Sequence, residues 1–115
     1  AAHLITTAEA MSLAVHCGLD PEKLLEGINA GSGRSAASQA MFPQWVLNKA
    51  YNSGFSMGLM RKDVGLAQDM ADALELDLPV SKKIVALWRE GSKPQLSDTE
   101  DFTAIVKHTD LEFFG

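Results

Sequence analysis

The stretch from Gly54 to Leu74 constrains the fold most, because its apolar residues recur at steps of three and four. The apolar positions are 59, 60, 64, 66, 67, 70, 71 and 74. This spacing predicts an amphipathic helix with a broad buried face. No segment shows sustained alternation of apolar and polar residues, the pattern of a half-buried strand. The sequence therefore predicts an all-α fold.

Start and stop residues predict about six helices in all. The first runs over residues 2–17 and stops at Gly18, and the second begins with Asp20 as N-cap and Pro21 at the first helical position. The third runs from residue 35 to 48, where Pro43 either kinks the helix or starts a new one.

Two more helices are predicted after the stretch at residues 54–74. Pro79 starts one of them, which ends at Gly91. The last helix is predicted to start at Ser97, because Glu100 follows at the spacing of a capping box.

Length, charge and cysteine content limit the protein class. A chain of 115 residues is one domain, and its net charge of −5 without a basic stripe argues against a nucleic-acid partner. No apolar run approaches the roughly 20 residues that span a bilayer, so no membrane partner is expected. A single cysteine excludes an internal disulfide and fits the cytoplasm. Cys17 is predicted to be a buried, inert thiol.

The sequence contains no complete set of catalytic or metal-binding residues. No His, Cys and carboxylate residues have metal-ligand spacing, so no metal site is expected, and no nucleophile lies next to a base. The loop Gly31–Ser35 precedes a predicted helix, and glycines in that place can present N–H groups to an anion. Because no strand precedes this loop and it lacks a phosphate-binding lysine, capping by Ser35 is favoured.

A bulky cluster lies within the third predicted helix. Its members are Met41, Phe42, Trp45, Val46 and Leu47. Packing in the core or between domains is favoured, although methionine and aromatic residues also line ligand clefts.

Lys62 and Asp63 lie in the first two turns of the helix predicted at residues 54–74. A lysine there is not favoured by helix electrostatics, since exposed N–H groups mildly repel cations. Spacing alone favours a solvated lysine that pairs with Asp63 or Asp69. The alternative is half of a functional site, with the aromatic Phe55 nearby.

Ordered motifs give the chain a family resemblance. They are Ala8–Ala10, Gly18–Asp20, Gly31–Ser35, Gly54-Phe55, Gly58-Leu59, Lys62-Asp63, Leu66-Ala67, Pro79 and Asp101–Ala104. In this order they resemble the C-terminal helical domain of the β-hydroxyacid dehydrogenases, of the 3-hydroxyisobutyrate dehydrogenase type. The resemblance covers nearly the whole chain, which makes it more specific than any one motif.

The resemblance implies a bundle like the C-terminal domain of 6-phosphogluconate dehydrogenase. Residues 1–115 would form a single substrate-side and dimerisation domain. An N-terminal Rossmann domain that binds most of NAD or NADP, and the catalytic lysine, would lie outside this chain, which by itself would be inactive. The intact enzyme would transfer a hydride between nicotinamide and a short 3-hydroxy acid or semialdehyde.

The resemblance also reverses the preferred interpretation of Lys62. It implies that Lys62 reaches the nicotinamide end of the cofactor, that Asp63 fixes the lysine, and that Phe55 shields the reacting centre from water. It further implies a homodimer or homotetramer. The alternative is a noncatalytic helical oligomerisation module, which the weakly polar second face of the first helix also favours.

Overall fold

The computed structural model describes residues 1–115 as a helical bundle without a β-sheet. Its α-helices are α1 (Ala2–His16), α2 (Pro21–Ala30), α3 (Met57–Ala73), α4 (Pro79–Ala86), α5 (Val106–Thr109) and α6 (Leu111–Phe114). A π-helix (Ala37–Val46) lies between α2 and α3, a π-turn (Leu87–Gly91) extends α4, and a 3-10 turn (Phe102–Ile105) precedes α5. The predicted all-α fold is confirmed.

The core is organised around α1, which packs against α2, the π-helix and α5. Leu4, Ile5, Ala8 and Met11 of this helix are almost fully buried. The largest buried side chains that meet them include Phe42, Trp88 and Phe114. No helix of the chain combines the length and hydropathy that a membrane crossing requires.

The predicted boundary between α1 and α2 is confirmed. Gly18 has a φ of +84°, the left-handed conformation that favours glycine after a helix. Asp20 caps α2 by accepting the backbone N–H of Lys23 at 3.3 Å. Cys17, however, is exposed, so its predicted burial is wrong. It is the C-cap of α1, and Ala14 occupies the core-facing position of the last turn.

Pro43 neither ends the third helix nor starts another, because the segment is a continuous π-helix. In this register each N–H bonds the carbonyl five residues earlier, as Leu47 does with Phe42 at 2.9 Å. Proline lacks the backbone N–H that the carbonyl of Ser38 would accept in that register. The side-chain Nδ2 of Asn29 donates to this carbonyl instead, at 2.9 Å. A side chain of α2 therefore satisfies the backbone of the π-helix.

The loop Gly31–Ser35 has the predicted capping role. Ser35 Oγ accepts the backbone N–H of Ser38 at 3.3 Å, three residues on. Arg34 donates through Nη1 to the carbonyl of Gly31 at 2.9 Å. The loop thus satisfies its own polar groups and the start of the π-helix.

The long helix α3 buries a different face from the predicted one. Ser56 caps it by accepting the N–H of Leu59 at 3.2 Å. The buried positions are Met57, Arg61, Gly65 and Ala71. Leu59, Leu66, Met70 and Leu74 are between 48% and 68% exposed, and we call these four residues the outer stripe. The predicted face is therefore too broad: Met60, Val64 and Ala71 pack inward, whereas the outer stripe does not, and Arg61 is buried in addition.

The last helical segment starts later than predicted. Ser97 and Glu100 do make half of a capping box, since Glu100 Oε2 accepts the N–H of Ser97 at 2.8 Å. No helix begins at these two residues, and the 3-10 turn starts only at Phe102, with Asp101 as its cap. The predicted start at Ser97 is wrong.

Tertiary hydrogen bonds explain this late start. The carbonyls of Asp98 and Glu100 accept the N–H groups of Gly58 and Met57 at 2.9 Å and 2.7 Å. These carbonyls point toward the N–H groups at the start of α3, which have no partner within their own helix, and not along the axis of a local helix. Gly58 allows the close approach, because a Cβ there would lie 3.2 Å from the carbonyl oxygen of Asp98.

Candidate functional site

An apolar cavity of about 400 Å³ opens between the start of α1, the π-helix and the N-terminal end of α3. Its walls are mainly Leu4, Met41, Trp45, Phe55, Met60 and Phe102. The bulky cluster of the sequence thus divides between two roles. Met41 and Trp45 line the cavity, whereas Phe42 and Val46 are buried in the core.

Phe55 is held rigidly in the wall of this cavity. Its ring packs edge-on against Phe102, with a distance of 5.5 Å between the ring centroids. Its carbonyl accepts the backbone N–H of Phe102 at 2.8 Å. Because both the ring and the backbone are fixed, Phe55 presents a preorganised apolar surface.

Asp101 fixes the loop that carries Phe55. Its Oδ1 accepts hydrogen bonds from Ser53 Oγ at 2.7 Å and from the N–H of Gly54 at 3.1 Å. Its Oδ2 accepts the N–H and hydroxyl of Thr103. Burial raises the pKa of Asp101, but hydrogen bonds from Thr103, Ser53 and Gly54 outweigh burial and lower the pKa below its usual value. The carboxylate is therefore a charged anchor for one edge of the cavity.

The cavity is almost free of polar groups. His3 and Ser53 are its polar side chains, and no Asp, Glu, Lys or Arg contributes to the lining. Ser53 is already engaged by Asp101. Such a surface suits an uncharged apolar group and disfavours an ion, which would lose its hydration without a partner.

Lys62 and Asp63 lie outside this cavity, on the exposed surface of α3. The predicted pairing of Lys62 with Asp63 or Asp69 is absent, and Asp69 instead lies 4.0 Å from Arg89. Neither Lys62 nor Asp63 makes an intrachain side-chain hydrogen bond. Helical spacing places both beside Leu59 and Leu66 of the outer stripe. The structure therefore brings Phe55 to a cavity and leaves the other two predicted site residues free.

Arg61 is the polar residue that sequence patterns gave no special place. Its side chain is only 7% exposed, although it begins the charged run Arg61–Asp63. Nε donates to the carbonyl of Trp88 at 2.8 Å, and Nη1 donates to Asp98 Oδ1 at 2.5 Å. Nη2 donates to Ser92 Oγ at 2.9 Å and to the carbonyl of Leu96 at 2.8 Å. Arg61 thus ties α3 to the loop that follows the π-turn.

No group of three His, Cys, Asp or Glu side chains is arranged to hold a metal ion. For a nicotinamide dinucleotide, in contrast to a metal ion, the chain has two residues with suitable groups, Lys62 and Phe55. Lys62 has a free ammonium that can donate to a hydroxyl or amide, and Phe55 has a fixed apolar face.

Comparison with known proteins identifies the family. The family profile described as "NAD-binding of NADP-dependent 3-hydroxyisobutyrate dehydrogenase" matches residues 1–109. The chain belongs to this family. The family resemblance seen in the ordered motifs is confirmed.

Two curated relatives show the range of the family. A 2-(hydroxymethyl)glutarate dehydrogenase from Eubacterium barkeri is 33% identical over 91% of this chain and 35% of its own length. An NAD-dependent L-serine dehydrogenase from Pseudomonas aeruginosa is 35% identical over 90% of this chain and 37% of its own length. The chain therefore spans about a third of the curated relatives it matches.

A solved structure shares the fold. The 3-hydroxyisobutyrate dehydrogenase of Mycobacterium tuberculosis, determined with L-serine, matches with a TM-score of 0.82 and 27% identity. The match covers 95% of this chain and 39% of that chain. The helical bundle is thus the fold of one part of a larger family member.

Proposed function

We propose that the intact protein is an NAD(P)-dependent dehydrogenase of short 3-hydroxy acids or their semialdehydes. Residues 1–115 would be its single helical, substrate-side C-terminal domain, and an N-terminal Rossmann domain would bind most of the cofactor. Family membership supports the redox chemistry. When bound, the dinucleotide accepts or supplies the hydride. The residues of this chain orient and shield the reactants.

The observation that carries this proposal is the outer stripe of α3 with a free lysine beside it. Four large apolar side chains at this exposure form a surface that soluble proteins normally cover. We propose that the cofactor-binding domain of the intact protein packs against the outer stripe. That arrangement places Lys62 and Asp63 at the boundary between the two domains.

The three site residues then have separate roles. Lys62 donates a hydrogen bond toward the nicotinamide end of the dinucleotide from across the boundary between the two domains. Asp63, the next residue along the chain, limits the directions that the ammonium takes when the cofactor is bound. Phe55 covers the reacting centre on the substrate side and excludes water from it.

The Lys62→Ala variant of the intact protein tests this site. We expect the dissociation constants of NADH or NADPH to rise by about tenfold, the usual worth of a hydrogen bond from a charged donor. The melting temperature should not change, because Lys62 is exposed and unpaired. Lys82→Ala, which removes another exposed lysine, is the matched control. Equal affinities for the two variants would remove Lys62 from the site.

We further propose a narrower substrate class from the lining of the cavity. 2-(Hydroxymethyl)glutarate, 3-hydroxyisobutyrate and L-serine are all 3-hydroxypropanoates that differ in the substituent on carbon 2. That substituent is a carboxyethyl, a methyl and an amino group, respectively. We propose that the cavity receives the substituent on carbon 2. Because no Asp, Glu, Lys or Arg side chain lines the cavity, the preferred substrate is a 3-hydroxy acid in which this substituent is uncharged and apolar.

A substrate panel tests this preference. We expect kcat/KM for 3-hydroxyisobutyrate to exceed that for L-serine and for 2-(hydroxymethyl)glutarate by about a hundredfold, since a desolvated ion is strongly rejected. Met41→Lys places a cation in the cavity wall and should raise relative activity on the glutarate. A wild-type preference for either charged substrate would contradict the assignment of this cavity.

A second proposal concerns assembly. Leu13 on the outer side of α1 is 70% exposed, which favours contact with a second copy in a homodimer or homotetramer. Sedimentation of the intact protein at micromolar concentration tests it, with Leu13→Lys expected to dissociate the assembly. A wild-type monomer would contradict this proposal. The noncatalytic alternative would be favoured by assembly without dehydrogenase activity.

We also propose a cytoplasmic location. The free, exposed thiol of Cys17 suits a reducing compartment. Fractionation of cells that express the intact protein tests this location, and recovery outside the cytoplasm would contradict it.

A further inference from the structure

The segment between the π-turn and the 3-10 turn depends on α3 for its conformation. Residues 92–100 form turns without a helix or strand. Within this segment Ser92 and Leu96 are buried, and both contribute an acceptor to the guanidinium of Arg61. Ser92 Oγ also donates to the carbonyl of Trp88 at 2.9 Å, which places two donors on that carbonyl. The guanidinium is therefore the centre of a buried polar network.

The same segment is bound to α3 at a second place. The N–H of Gly58 donates to the carbonyl of Asp98 at 2.9 Å, while the side chain of Asp98 accepts from Arg61. One face of the first two turns of α3 is thus bound to this segment through both backbone and side chain. Lys62 follows Arg61 directly and extends from the same turn on the exposed side.

We propose that Arg61 is a positioning residue for Lys62. By holding residues 88–98 against the second turn of α3, the guanidinium fixes the turn from which the lysine extends toward the dinucleotide. The inference rests on the proposed role of Lys62. It adds that the affinity contributed by Lys62 depends on a buried residue that does not itself contact the cofactor.

The bonding pattern requires arginine. Nε, Nη1 and Nη2 each donate. Their acceptors lie at separate positions within residues 88–98, at Trp88, at Ser92 and at Leu96–Asp98. A planar fork meets these acceptors together, whereas the ammonium of lysine has a different geometry. Arg61→Lys keeps the charge but should not restore the positioning.

A double-mutant cycle in the intact protein tests the inference. Isothermal titration calorimetry with NADH and NADPH as probes would give dissociation constants for wild type, Arg61→Met, Lys62→Ala and the double variant. Scanning calorimetry would identify a temperature at which all four are folded. Arg89→Met is the matched control, because Arg89 lies on the surface over Gly65 and bonds none of these acceptors.

If Arg61 acts through Lys62, Arg61→Met weakens binding by several-fold but no more than Lys62→Ala does. The double variant then binds like Lys62→Ala alone, a non-additivity that general destabilisation would not produce. Asp98→Asn serves if Arg61→Met does not fold, because Asp98 is 64% exposed and loses only its charge. It should weaken binding less, and only when Lys62 is present.

Three results would overturn the inference in distinguishable ways. If Lys62→Ala weakens binding but Arg61→Met and Asp98→Asn do not, the positioning role is wrong and the proposed function stands. If Lys62→Ala leaves binding unchanged, the proposed role of Lys62 fails and the positioning role fails with it. Equal effects of Arg61→Met and Arg89→Met would also count against Arg61.

Discussion

Ser12 in α1 donates a hydrogen bond of 2.6 Å to Asp110 Oδ2, across almost the whole length of the chain. The other oxygen of Asp110 caps α6 by accepting the N–H of Phe113 at 3.0 Å. The hydrogen bond from Ser12, followed by that from Phe113, holds the pKa of Asp110 below its ordinary value. One carboxylate therefore joins the first and the last helix of the chain.

Acid stability should depend on this carboxylate. A folded-state pKa below the ordinary value of 3.8 adds stability that is fully present above that value and is lost as the pH falls through the lower one. Ser12→Ala removes the main cause of the shift. It should reduce stability at neutral pH and make the loss of stability below about pH 4 shallower.

Urea unfolding between about pH 2 and pH 7 measures this effect. Ser81→Ala, which changes an exposed serine without a side-chain hydrogen bond, is the control. Parallel pH profiles for wild type and Ser12→Ala would show that Ser12 has no part in the acid transition.

Arg61→Met should destabilise the fold. The substitution leaves the carbonyls of Trp88 and Leu96 and the hydroxyl of Ser92 without their shared donor. A buried acceptor left without its donor costs about 1 to 3 kcal/mol, so we expect a loss of about 3 kcal/mol. Arg89→Met removes an exposed arginine and should cost less than about 0.5 kcal/mol. Thermal unfolding of both variants gives the comparison, and equal shifts would contradict the network.

Gly58→Ala should be destabilising even though alanine is the better helix former. A Cβ at position 58 would lie 3.1 Å from the Cβ of Asp98 and 3.2 Å from its carbonyl oxygen. The carbonyl cannot retreat without weakening its hydrogen bond to the N–H of residue 58. We expect a loss of about 1 kcal/mol, after the gain in helix propensity.

Gly27→Ala provides the matched comparison in α2. A Cβ there meets no atom within 4 Å, so only the gain in helix propensity remains. This variant should be more stable by about 0.5 to 1 kcal/mol in denaturant unfolding. If both glycine variants changed stability in the same direction, the close approach at Asp98 would not control the sign.

The isolated chain of 115 residues should not bind a dinucleotide with micromolar affinity. In the proposed division of labour, this domain contributes Lys62, Asp63 and Phe55 but not the phosphate-binding loop. Calorimetry with NADH and NADPH, on material shown to be helical by circular dichroism, measures this. Micromolar binding would contradict the proposed division between domains.

Helix ends were predictable where one local interaction decides them. Asp20 and Pro21 start α2 because an N-cap and a fixed φ act within a single turn. Ser97 and Glu100 carry an equally good local pattern, yet no helix follows. There the N–H groups of α3 use the carbonyls of Asp98 and Glu100, a contact between distant segments that a local pattern does not contain.

The face that α3 buries was not predictable from apolar spacing. Periodicity identifies the helix, but Leu66 and Met70 are exposed while Arg61 is buried. Burial of an arginine depends on acceptors from a distant loop, and the outer stripe depends on whatever covers it in the intact protein. The same dependence affects the candidate site. Phe55 is held at the cavity by Phe102 and Asp101, which are distant in the sequence, whereas the roles of Lys62 and Asp63 stay predictions.

Pro43 and Asn29 make two positions epistatic. Proline at 43 leaves a carbonyl without its local donor, and asparagine at 29 supplies one from another helix. With another residue at 43, the carbonyl of Ser38 would gain a backbone donor and would depend less on Asn29. With an apolar residue at 29 and proline retained, it would have neither of these two donors. The effect of a substitution at one of these positions therefore depends on the residue at the other. Redesign of the π-helix has to treat the two positions as a pair.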